Sequence, residues 1–163
     1  MKENLLQYIW KEKYYRYTEL VTESGEELVV LDTGQWNKHQ GPDFLDARIR
    51  LNGTLWAGNI EIHIKSSQWY QHNHNDDPHY RNVILHVVWE YDVPIFRKDD
   101  SEIPTLELKE YVALADLHKY QSLVSQKSWI YCENEIGNVD DFIFKNWQER
   151  LFFERLERKS QLI

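Results

Sequence analysis

The feature that most constrains this chain is the dipeptide Asn52-Gly53, set between two runs of β-forming residues. Asn-Gly accepts positive φ at both central turn positions, so the runs on either side are expected to pair as an antiparallel hairpin. The whole stretch, Gly41 to Lys65, reads GPDFLDARIRLNGTLWAGNIEIHIK. In its second arm, the two-residue period of a strand puts Trp56, Gly58, Ile60, Ile62 and Ile64 on one face and Ala57, Asn59, Glu61, His63 and Lys65 on the other. An acid, an imidazole and an amine in one row among β-branched residues must be solvated, paired or holding a metal ion, because burying an unpartnered charge is costly.

Upstream, Glu3 to Lys13 spaces Leu5, Leu6, Ile9 and Trp10 onto one helical face. Tyr17 to Val21 and Leu28 to Leu31 flank a Gly25 turn as a hairpin, and Asp32 to Gln40 is polar turn chemistry. After Lys65 a polar loop is expected, with one helical turn after Asp76 or Asp77, where Pro78 suits a first helical position. Val83 to Tyr91, VILHVVWEY, is the most apolar strand and the expected centre of the sheet. Leu106 to Leu117 begins as a strand and turns helical towards Gln126. Asn138 to Asp141 opens a last helix carrying Phe142, Ile143, Phe144, Trp147, Leu151, Phe152 and Leu156.

A chain of 163 residues, 42% hydrophobic, fills one core rather than two. The expected fold is an α/β or α+β domain over residues 1–126, with a mixed, mainly antiparallel central sheet flanked by helices. Residues 127–163 are expected to form a helical extension whose aromatic face pairs two copies as a homodimer or packs on a following domain of a longer protein.

A net charge of −8 removes the footprint of a protein that coats nucleic acid nonspecifically. The lone Cys132 makes no internal disulfide, the opening MKENLLQYIWKEK has too short an apolar run for a signal peptide, and no window is apolar for long enough to cross a membrane. A cytoplasmic protein is therefore expected. There is no Gly-rich phosphate loop, no GxSxG elbow and no Cys-His nucleophile pair.

The chemistry begins with Pro42-Asp43, followed after residues 44–60 by Glu61-Ile62-His63. This spacing resembles the PD-(D/E)xK signature of the restriction-endonuclease-like superfamily, as does the order of a helix followed by a strand meander with acids on adjacent strands. The resemblance implies that Asp43 and Glu61 hold Mg²⁺ or Mn²⁺, and that a group two residues after Glu61 orients the attacking water. His63 stands where that superfamily has lysine. It would serve as a third ligand or as the base, with Lys65 contacting the phosphate of a nucleic acid or phosphate ester substrate.

A second constellation, His72-Asn73-His74-Asn75-Asp76, resembles the first motif of metallo-β-lactamase-type zinc hydrolases, but Asp77 occupies a position where that motif has histidine. Folded back over the Lys65 end of the sheet, this loop would bring His72, His74 and Asp76 around the Asp43-Glu61 centre. His86, alone among valines in VILHVV, reads either as a hydrogen-bonded core residue or as a further support of the site.

The phrases GPDF, WAGNIEIH, SSQW, HNH followed by an acid, and VILHVVWEYD resemble those of a large uncharacterised bacterial family, a domain of unknown function, over nearly the whole chain. That resemblance places the family core at Gly41 to Asp92 and implies no activity. The readings that follow are a divalent-metal-dependent phosphodiesterase or nuclease-like domain, a non-catalytic assembly module on a degenerate nuclease-like fold, and a Zn²⁺-dependent hydrolase built on the histidine loop.

Overall fold

A computed structural model describes residues 2–113, 117 and 135–160. The chain divides into two compact units, Met1–Leu117 and His118–Ile163. The boundary expected at 126/127 and the helix expected towards Gln126 lie outside the described residues.

In the first unit, helix α1 (Glu3–Lys11) precedes seven strands: β1 (Leu20–Val21), β2 (Glu27–Asp32), β3 (Gln35–Trp36), β4 (Phe44–Leu51), β5 (Thr54–Lys65), β6 (Val83–Glu90) and β7 (Thr105–Glu107). They form one sheet ordered β1-β2-β4-β5-β6-β7, with β3 paired to β4. Pairing is antiparallel as far as β5 and parallel from β5 through β6 to β7. The domain is thus a mixed α+β fold with a mostly antiparallel sheet, as expected. Asn52 and Gly53 both take positive φ, 45° and 80°, which is the turn this dipeptide favours. The polar run from Asp32, expected as turn only, contains the additional short strand β3.

Strand β4 keeps its register by a bulge. Phe44 opposes Ile60, yet Ala47 opposes Gly58, so β4 carries one residue more than β5 between the two pairs. Asp46 absorbs the excess in a left-handed conformation (φ 57°), its amide donating to Asn59 Oδ1 at 3.3 Å. Phe44, Ala47, Ile49 and Leu51 are consequently all buried despite their odd spacing, and Asp43 is turned towards the face of β5 that carries Glu61.

Because β6 runs parallel to β5, the chain must cross over the sheet between them. The crossover holds helix α2 (Gln68–Gln71) and a 3₁₀ turn at Pro78–Tyr80, which Asp77 caps by accepting the His79 amide. Trp69 anchors it, 1% exposed, against Val83, Ile95 and Ile103. At the crossover's start, the buried Ser66 hydroxyl accepts the amides of Asp92 and Val93 and donates to either Asp92 Oδ1 or the Val93 carbonyl, 2.8 and 2.7 Å away. The ends of β5 and β6 are thereby tied together.

In the second unit, a 3₁₀ turn at Ile136–Asn138 precedes helix α3 (Asp141–Ser160). Asp140 Oδ1 accepts the Phe142 amide at 2.9 Å, a side-chain N-cap at the expected start. Along α3, Phe142, Ile143, Trp147, Phe152 and Phe153 are exposed. Among the described residues no helix is long and apolar enough to cross a membrane.

Two substitutions test what positions the crossover. A Cβ at Gly58 would lie 2.5 Å from Ile84 Cγ2 and 2.6 Å from the Asn82 carbonyl, so Gly58→Ala is expected to cost about 1–3 kcal/mol in chemical denaturation. Ser66→Ala leaves two amides and a carbonyl short of a partner, and about 1–3 kcal/mol is expected for that loss.

Candidate metal centre

Helix α1 packs on β5 and contributes one polar side chain to its acidic face. Gln7 Nε2 donates to Asp43 Oδ1 at 2.9 Å, while Asp43 Oδ2 accepts the Ile62 amide at 3.0 Å. The Asp43 amide in turn donates to Glu61 Oε2 at 3.1 Å. Asp43 and Glu61 thus meet at the β4–β5 pairing, held by backbone and by Gln7.

The other carboxylate oxygen, Glu61 Oε1, faces imidazoles. It lies 3.5 Å from His63 Nε2 and 3.3 Å from His74 Nε2. His63 Nε2 is also 3.1 Å from His72 Nδ1, and His63 Nδ1 is 2.8 Å from His86 Nε2. His63 comes from β5, His86 from the facing position beside Glu61 on β6, and His72 and His74 from the crossover. The ring of Tyr80 stacks on His74 at 3.8 Å and that of Trp69 packs edge-on at 5.4 Å, fixing the loop imidazole from both sides.

Electrostatically this is a pocket of lone pairs. Burial, reinforced by the charge of Glu61, raises the Asp43 carboxyl to about 7, and burial raises that of Glu61 to about 8. Burial first, then the neighbouring imidazoles, lowers His63 to about 2; burial lowers His86 to about 3. Burial also depresses His74. The short contacts between Glu61 and the two imidazoles are therefore not ion pairs: without a cation, neutral rings face a protonated acid at neutral pH.

His63, His72 and His74 could hold a metal ion, their ligand atoms all lying within 4.8 Å of one another. Two observations fit an ion to this place. His74 Nε2 is buried and lacks a hydrogen-bond partner although Glu61 Oε1 is near. Three of the donor separations, His63–His72 at 3.1 Å, Glu61–His74 at 3.3 Å and Glu61–His63 at 3.5 Å, lie near the edge of about 3.3 Å of a tetrahedron with metal–nitrogen bonds of roughly 2.0–2.1 Å. His72 is exposed, so the cluster opens to solvent. Beside His74 a cavity of about 330 Å³ is lined by Trp69, Tyr80, Arg81, Arg97 and Lys98 among others.

Of the residues singled out from sequence, Asp43, Glu61, His63, His72, His74 and His86 come together. Lys65 stands apart, exposed at the end of β5 with Nζ 3.0 Å from Glu90, and Asp76 is exposed and bonded to Lys98 at 3.0 Å. Gln7 was not foreseen, and Trp69 and Tyr80, aromatics expected around this region, prove to pack against His74. Gln7 had a readable signal, an amide among Leu5, Leu6, Ile9 and Trp10 in a short amphipathic helix.

Comparison with curated proteins and with solved structures finds no match. A family model described as a protein of unknown function (DUF2851) matches residues 3–163. The family resemblance carried by GPDF, WAGNIEIH and VILHVVWEYD is thus shown across both units, and the chain belongs to the DUF2851 family of proteins of unknown function.

Proposed function

We propose that the first unit is a divalent-metal-dependent hydrolase of phosphodiester bonds, centred on His63, His72, His74 and Glu61. The observation that carries this reading is the convergence of the His63, His72 and His74 ligand atoms within 4.8 Å of one another, with Glu61 Oε1 3.5 Å from His63 Nε2 and 3.3 Å from His74 Nε2. A helix followed by a mostly antiparallel set of strands, with Asp43 immediately before β4 and Glu61 on the adjacent β5, supports the nuclease-like element order.

Three imidazoles and one carboxylate suit Zn²⁺, and Mn²⁺ after it, better than Mg²⁺, which prefers oxygen donors and keeps its waters. Such an ion supplies a Lewis acid and an acidified water when bound. The chain's own groups do the rest. Asp43, held by Gln7 and the Ile62 amide, donates its backbone N–H to Glu61 and so aims the Glu61 carboxyl at the histidines. Asp43, half-buried and not among the ion's donors, has its carboxyl raised to about 7 by burial and by the charge of Glu61, the range in which a carboxyl can accept and return a proton during hydrolysis. Arg81 and Arg97 line the cavity beside His74, along with Asp77, Asp99 and an Asp76-paired Lys98, and would give an anionic ester its counter-charge, while Lys65 is paired with Glu90 at the end of β5.

Calorimetry with Zn²⁺ and Mn²⁺ tests the centre. About one equivalent is expected to bind, and His63→Ala or His72→Ala to weaken binding by at least the roughly 10–100-fold seen when a ligand's support is removed. Wild-type protein that binds neither ion, or variants that bind as well as wild type, sinks the reading. Cleavage of a chromogenic phosphodiester should need the added ion and stop with chelator.

A second reading, assembly as a homodimer through α3, is favoured by its exposed aromatics, Phe142 at 74% and Phe153 at 62%. Light scattering should then give twice the chain mass, falling to the monomer in Phe142→Glu/Phe152→Glu.

A further inference from the structure

We propose that His63 and His86 form a tautomer switch thrown by metal uptake, an inference that rests on the metal-centre reading above. His86 is fully buried. Its Nε2 lies 2.8 Å from His63 Nδ1, and His63 Nε2 lies 3.1 Å from His72 Nδ1. A neutral imidazole carries one N–H, so each of these contacts needs a single proton between its two nitrogens.

Two arrangements satisfy both contacts. In the first, each ring is protonated at Nε2: His86 donates to His63 Nδ1 and His63 donates to His72 Nδ1. The unpartnered atom is then a lone pair on His86 Nδ1. In the second, each ring is protonated at Nδ1 and both bonds reverse, leaving a buried N–H at His86 Nδ1 with no acceptor. An orphaned buried N–H is the rarer and costlier defect. The metal-free chain therefore takes the first arrangement.

Ligation by His63 uses Nε2, since Nδ1 faces His86. It requires the Nε2 lone pair, which in the metal-free state carries the proton. The His63 proton must then sit on Nδ1 and be donated to His86 Nε2, and the His86 proton must move to Nδ1. Both rings lose an Nε2–H and gain an Nδ1–H by exchange with solvent, and the charge of neither changes. His86 is in this sense a positioning residue: it never touches the ion, but its Nε2 is the acceptor that holds the ligating ring in the required tautomer.

Histidine ¹⁵N spectra of the full chain, in chelator and then with one equivalent of Zn²⁺, read the switch directly. The expected result is Nε2–H on His63 and His86 without metal and Nδ1–H on both with it, while His39, which belongs to no part of the cluster, does not change. Zinc bound with His86 still protonated at Nε2 overturns the switch and leaves the metal reading standing, as does His86 already protonated at Nδ1 in chelator. Absence of zinc uptake overturns the metal reading and with it the trigger. His86→Gln keeps a carbonyl acceptor for His63 and is expected to hold zinc within a few-fold of wild type, whereas His86→Leu loses about 10–100-fold. Equal loss in both variants would reduce His86 to packing and overturn the proposal.

Discussion

Everything in the first unit's site depends on the burial of Glu61 and His63 in the middle of β5. Their exposures are 5% and 1%, and neither has a lysine or arginine partner among the described residues. Charges cannot sit there alone, so the fold meets the problem by neutrality: the acid keeps its proton and the imidazole does not take one. That solution is conditional. A divalent cation placed among the same donors would invert it, drawing the proton off the carboxyl and fixing the lone pairs of the rings. The site is a neutral network whose three imidazoles, His63, His72 and His74, could hold a cation.

The second constraint is topological. Parallel pairing of β5 with β6 forces the intervening chain across one face of the sheet, and residues 66–82 cross where Glu61 and His63 point. Trp69 pins this segment to its own small core and Ser66 clamps its root to Asp92 and Val93. His72 and His74 are therefore delivered to the β5 acid by packing and hydrogen bonds that have nothing to do with metal. The rigid support lies outside the ligands, and only His72 is left exposed.

Much of this was legible in the residues, for reasons that are local. Asn52-Gly53 set the β4–β5 hairpin, and the two-residue period then placed Glu61 and His63 on one face. The apolar run of VILHVV implied a strand covered on both sides, which β6 is. Three things were not legible. The β4 bulge at Asp46 breaks strict alternation, and no local rule requires it. The parallel direction of β6 depends on a crossover whose helix α2 is four residues long and leaves almost no periodic trace. Lys65 shares the face of Glu61 and His63 by parity, yet it lies where the strand has already emerged into solvent, and Glu90 beside it on β6 takes its charge. Periodicity reports face and is silent on depth, so depth separated His63 from Lys65.

Metal binding here would differ in kind from that of a small zinc domain, in which the ion and the fold appear together. The first unit buries a hydrophobic core independent of the cluster, with Trp10, Phe44, Ile49, Leu85 and Ile103 fully enclosed. What the ion would change is confined to a few rings and one carboxyl held in place from outside, so the free energy of ligation need not be spent on ordering the chain. A centre built in this way can release and rebind its ion without unfolding. His72, the exposed imidazole of the three, would then be the ligand at which exchange with solvent begins, while His63 and His86 behind it would keep the geometry.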